Sequence, residues 1–84
     1  MRKLSDHIVQ SVIFDKQKGW TIEDAIGKYL KPNGYVYKKV DETPHFYRFR
    51  QYNPEKLAEK GYKGVMTTQH ANGVEKVVFY KHKI

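Results

Sequence analysis

One segment of this chain carries a complete helix signature, and its single apolar stripe dictates what the rest must supply. Thr21-Ile22-Glu23-Asp24 opens it. The Thr21 hydroxyl suits an orphan backbone N–H, and acids in the first turn suit the helix dipole. Ile22, Ala25, Ile26, Tyr29 and Leu30 follow the i, i+3, i+4, i+7, i+8 template. Lys28 and Lys31 favour the C-terminal end, and Pro32-Asn33-Gly34 stops the helix. Trp20, just before the cap, is placed to pack on the first turn as a hydrophobic staple. Gly27 inside a helix costs about 1 kcal/mol against Ala, so its presence points to close packing on a strand. A helix with one apolar stripe needs a covering layer, and the remaining segments read as strands.

Ile8-Val9-Gln10-Ser11-Val12-Ile13-Phe14 is apolar on both alternating sets, as a central strand requires. Residues 35–40 and 45–52 read as the second and third strands around a loop of Asp41, Glu42, Thr43 and Pro44. In that register Val40 faces His45, Lys39 faces Phe46, Tyr37 faces Arg48 and Val36 faces Phe49. Val36, Val40, Tyr47 and Phe49 then form a core face for the helix to cover. Tyr35, Tyr37, Lys39, Phe46, Arg48 and Arg50 share the other face, and a one-residue slip would scramble the sorting. Asn53-Pro54 opens a short helix that ends at Gly61. Residues 62–71 and 74–81 flank Asn72-Gly73, a strong two-residue hairpin signal. With that loop, Val65, Thr67, Val74, Val78 and Tyr80 share one face, and Met66, Val77 and Phe79 the other. The expected fold is α+β: one amphipathic helix on a mainly antiparallel sheet of about five strands, in the order β-α-β-β-(short α)-β-β.

At 84 residues the chain has room for a single small domain, residues 1–84. The formal charge of +7 is uneven: residues 1–42 carry 8 basic and 6 acidic side chains, residues 43–84 carry 8 and 3. Such a balance favours nucleic acid, acidic surfaces or acidic proteins as partners, against a simpler role of lysine in solubility. The absence of Cys excludes disulfides and thiolate zinc sites and fits a reducing, cytoplasmic setting. No segment approaches the ~20 apolar residues of a membrane span, and the start leads into no signal-peptide core.

Trp20-Thr21, Ala25, Leu30-Lys31, Gly34-Tyr35, Lys39-Val40-Asp41-Glu42-Thr43 and Tyr47-Arg48-Phe49-Arg50-Gln51, taken in order, carry a resemblance across residues 7–80. The chain resembles a small domain of tailed-phage and giant-virus proteins. In phages that domain accompanies prohead-protease-like and other virion-assembly proteins, and it also occurs as a free-standing short chain. Tyr29 stands where the family pattern has a second Trp, and Pro32-Asn33 replaces a more helical, charged turn. The resemblance implies viral or mobile-element origin and an accessory role, and it supplies no catalytic residues to carry over.

The residues themselves also argue against catalysis. His7, His45, His70 and His82 lack close ligand spacing, so no metal site is expected. Asp41-Glu42 beside Pro44 reads as turn chemistry. No nucleophile elbow is present, and each of the six glycines stands isolated, so no phosphate-cradling loop is available. No cofactor is expected. Binding is the reading that remains. Tyr35, Tyr37, Lys39, Phe46, Arg48 and Arg50 combine cations for phosphates with rings for unpaired bases, favouring single-stranded DNA or RNA. The bland counterpart has these rings covering a thin core and the arginines pairing with Asp41, Glu42 or Glu55. The alternative function is a protein-interaction module engaging a host enzyme or virion component, as monomer or homodimer.

Overall fold

A strand apolar on both alternating sets belongs inside a sheet, and β1 (His7–Asp15) lies there, hydrogen-bonded on one side to β3 (Phe46–Arg50) and on the other to β5 (Val74–Lys81). The computed structural model describes residues 7–81; the opening residues and His82, both weighed above, lie outside the described residues. With β2 (Asp41–Glu42) and β4 (Tyr62–His70), the sheet runs in the order β2-β3-β1-β5-β4, every neighbouring pair antiparallel. The α+β class and the five-stranded antiparallel sheet are therefore as expected. The element order departs from expectation in its details: 3-10 turns occupy Lys16–Lys18 and Ala71–Gly73, and the second strand is only two residues long.

Helix α1 (residues 22–30) begins as anticipated. Thr21 caps it, its hydroxyl accepting from the Asp24 N–H at 3.1 Å. Ile22–Asp24 wind as α-helix, but Ala25–Leu30 take π winding, closed by a Lys31 N–H to Ile26 carbonyl bond of 2.9 Å. The stripe survives this change. Ala25 and Leu30 are fully buried, and Ile22, Ile26 and Tyr29 pack against the same core as Val12, Phe14, Phe49 and Val74. At the stop, the Asn33 amide donates to the Tyr29 carbonyl at 2.7 Å, and Gly34 turns the chain at φ 76°. Phe14 is the hub. Trp20, Tyr29 and Phe49 place their rings 4.9, 5.6 and 5.6 Å from its own. Trp20 also donates from Nε1 to the Asn72 carbonyl at 2.5 Å, tying the approach to α1 to the β4–β5 turn.

Gly27 overturns its expectation. It is exposed, and a Cβ there would meet nothing within 4 Å, so no strand presses on it. Gly27→Ala is accordingly expected to stabilise the domain by about 0.5–1 kcal/mol through helix propensity, read as a higher urea midpoint at unchanged slope.

Both hairpins take registers other than those expected. In the first, the Thr43 N–H bonds the Phe46 carbonyl at 2.9 Å and the Thr43 hydroxyl accepts from the Phe46 N–H at 2.9 Å, leaving Pro44-His45 as the loop. Asp41 therefore pairs with Arg48 and Glu42 with Tyr47, and residues 35–40 form no strand. The Gln51 side chain holds that segment beside β3 instead. Its Oε1 accepts from the Val36 N–H at 2.7 Å, and its Nε2 donates to the Val36 carbonyl at 2.8 Å. Tyr47 and Phe49 still face α1, Val40 packs at the core margin, and Val36 is left exposed.

In the second hairpin three residues make the connection, with Asn72 and Gly73 both left-handed, so His70 pairs with Val74. The one-residue slip re-sorts the faces: Val65 and Thr67 now share theirs with Val77 and Phe79, and Met66 with Val74, Val78 and Tyr80. Gly64 lies opposite Tyr80, whose ring covers the place a Cβ would take. The short helix α2 (Pro54–Glu59) is as read from the sequence, with the Asn53 side chain accepting from the Glu55 N–H at 2.9 Å and Pro at its start. It packs on β4, and Leu57 and Tyr62 are buried there, apart from the main core.

Candidate functional site

The six residues singled out in the sequence divide between two places. Phe46, Arg48 and Arg50 alternate with the core-facing Tyr47 and Phe49, so they point to the side of β3 away from α1. Three carboxylates share that side, Asp15 opposite Phe46, Asp41 opposite Arg48 and Glu75 opposite Ile13. Asp41 lies 3.6 Å from the Arg50 guanidinium, both side chains being half-exposed or more. Such a pair contributes little to stability but lowers the positive potential of the face.

Arg48, half-buried, is tied to two buried side chains of β1. The β1–β5 ladder slips between Val9 and Ser11, and this bulge brings Gln10 and Ser11, both fully buried, to the guanidinium. Arg48 Nε donates to the Ser11 hydroxyl at 3.2 Å and Nη2 to Gln10 Oε1 at 3.3 Å. Ser11 donates to the same Oε1 at 2.6 Å, and Gln10 Nε2 donates to the Tyr52 carbonyl at 2.8 Å. Among the described residues no buried side-chain polar atom lacks a hydrogen-bond partner. Sequence reasoning missed it. The available signal was a polar pair, Gln10-Ser11, set inside an otherwise apolar strand.

Tyr35, Tyr37 and Lys39 belong to the other group, on the segment that leaves α1. Tyr35 stacks parallel on Tyr29 with ring centres 6.2 Å apart, and the Lys76 ammonium, on the α1 side of β5, sits 5.4 Å from each ring. Partial burial pulls the Lys76 pKa down, but hydrogen bonding to the Tyr29 and Tyr35 side chains outweighs it, leaving it above the usual lysine value. Lys76 therefore stays charged throughout the neutral range. Tyr37 is exposed, with the Lys31 ammonium 6.0 Å from its ring, and Lys38 and Lys39 are exposed beside it. Residues 25–40 contain four lysines and three tyrosines and no Asp or Glu. Among the described residues, their sole carboxylate contact is the half-exposed Asp24, 3.6 Å from Lys28. A cleft borders this strip, lined by Val9, Asn33, Tyr35, Val36, Gln51 and Tyr52.

Among the described residues no group of His, Asp and Glu is arranged to hold a metal ion, and no helix is long and apolar enough to cross a membrane. Comparison with protein-family models, curated proteins and solved structures finds no match to this chain. The Val40-Asp41-Glu42-Thr43 and Tyr47-Arg48-Phe49-Arg50-Gln51 strings fall on β2, its turn, β3 and the residues flanking them, where Thr43, Tyr47, Arg48, Phe49 and Gln51 all serve architecture.

Proposed function

We propose that this chain is a non-enzymatic accessory domain, of the viral type its sequence resembles, that binds single-stranded nucleic acid through the strip from Lys28 to Lys39 together with Lys76. The observation that carries this reading is the interleaving of lysine and tyrosine over residues 25–40 without a carboxylate. Lysines there displace counterions from phosphates, and the exposed Tyr37 ring offers a face to an unpaired base. The outward face of β3 is the weaker candidate, since Arg48 is held by Gln10 and Ser11 and Arg50 by Asp41.

The test is fluorescence anisotropy with a labelled oligothymidylate over a salt series. Lys38→Ala with Lys39→Ala is expected to flatten the log–log salt slope by about 1.4, at about 0.7 per phosphate contact on a single strand. Tyr37→Ala is expected to weaken binding by about 1–3 kcal/mol at all salt concentrations. Undetectable binding at low salt, or slopes untouched by the lysine pair, would overturn the reading.

A protein partner, a host enzyme or a virion component, is the second reading, favoured by the exposed Val36 and Tyr52 on the cleft rim. It requires a defined host protein to be retained by the immobilised domain after nuclease treatment, and to be lost on Val36→Asp.

A further inference from the structure

We infer that the free edge of β4 pairs antiparallel with β4 of a second copy of this chain, joining the two sheets into one. The sheet has two edges, and they are unequal. β2 offers two residues, whereas the Gly64–Gln69 stretch of β4 is, among the described residues, paired in the sheet on one side only, to β5. Its outer row of backbone N–H and C=O groups is a template for another strand. Edge strands in soluble proteins are commonly guarded by charge or proline, but Gly64 to Gln69 carry neither. Val65 is 56% exposed and Met66 39%, on opposite faces of the sheet, so both rims of the strip are apolar.

Charge chooses the occupant. In a chain of net +7, these six residues form a strip with no Lys, Arg, Asp or Glu. Nucleic acid and acidic proteins gain nothing on such a strip. Two copies of a basic chain, by contrast, meet there without opposing like charges. The Lys63 irregularity in the β4–β5 ladder and His70 bound the strip at its ends.

The pairing is further constrained by symmetry. Opposite residues of an antiparallel pair share a sheet face, and a twofold axis normal to the sheet preserves faces, so one residue must oppose its own copy. Met66 and Thr67 are the positions at the centre of the uncharged strip. The same axis sets both α1 helices on one side of the joined sheet.

Sedimentation velocity of the full chain over a concentration series tests the inference. A concentration-dependent monomer–dimer equilibrium is expected. It should persist or tighten as salt rises, because the uncharged edge loses nothing to screening while repulsion between the basic copies weakens. Val65→Lys, at an exposed site, should weaken dimerisation at least tenfold with an unchanged far-UV spectrum. Because the chain has no Cys, Met66→Cys and Thr67→Cys each introduce a single thiol. One of the two should form a disulfide dimer on mild oxidation far faster than the exposed control Glu59→Cys. A monomer at every concentration, a dimer indifferent to Val65→Lys, or cross-linking no faster than the control would each overturn the inference.

Discussion

Phe14→Ala is expected to destabilise the domain by about 3–5 kcal/mol, the range for emptying a fully enclosed aromatic site. Phe14 is wholly buried, and Trp20, Tyr29 and Phe49 close around it from the α1 approach, α1 and β3. These neighbours sit on three separate elements, so no single side chain can relax into the space. For 84 residues a total stability of about 4–13 kcal/mol is typical, so the substitution removes a large share of it. Because Trp20 is the only tryptophan and packs on Phe14, its fluorescence reports the loss directly. The thermal midpoint should fall by tens of degrees, and Phe14→Leu, which keeps most of the volume, should cost far less. A midpoint for Phe14→Ala within a few degrees of the parent would show that the ring is not the hub.

The second large effect belongs to Gln10. Gln10→Ala removes an acceptor used by Ser11 and Arg48 and a donor used by the Tyr52 carbonyl, and it opens a void in a fully buried site. Stranding buried partners costs about 1–3 kcal/mol before the cavity is counted, so a total of about 2–4 kcal/mol is expected. Gln10→Leu restores volume without polarity and should recover only the cavity part. Urea denaturation of the two variants separates the contributions. Full recovery in the leucine variant would mean that the hydrogen bonds of this bulge carry no net stability.

That network explains why the sequence misled about Arg48. Alternation along β3 correctly placed Phe46, Arg48 and Arg50 opposite Tyr47 and Phe49. It could not reveal that a bulge in β1 would bring an amide and a hydroxyl to the guanidinium, because a bulge is set by ladder geometry and not by residue period. The helix stripe, the Thr21 and Asn53 caps and the central place of β1 were legible, since each rests on local chemistry with one geometric solution. The π winding of Ala25–Leu30 was not, because an apolar stripe of this spacing serves either winding.

Hairpin registers were the least legible feature. In the first, the Thr43 hydroxyl closes a loop two residues shorter than expected, and the Gln51 side chain substitutes for a ladder along residues 35–40. In the second, one additional loop residue reversed the faces of β4 relative to β5. As a result Tyr35, Tyr37 and Lys39 were identified as candidates but assigned to the wrong company. Tyr35 sits with Tyr29 and Lys76 and Tyr37 beside Lys31, whereas Lys39 is simply exposed further along the same segment.

The proposed nucleic-acid interface is the lysine–tyrosine strip and not the outward face of β3. An amide-resolved NMR titration with an oligothymidylate at low salt tests it most directly. The largest shifts are expected at residues 28–39 and at Lys76. Shifts centred instead on Phe46, Arg48 and Arg50, or none anywhere, would contradict it.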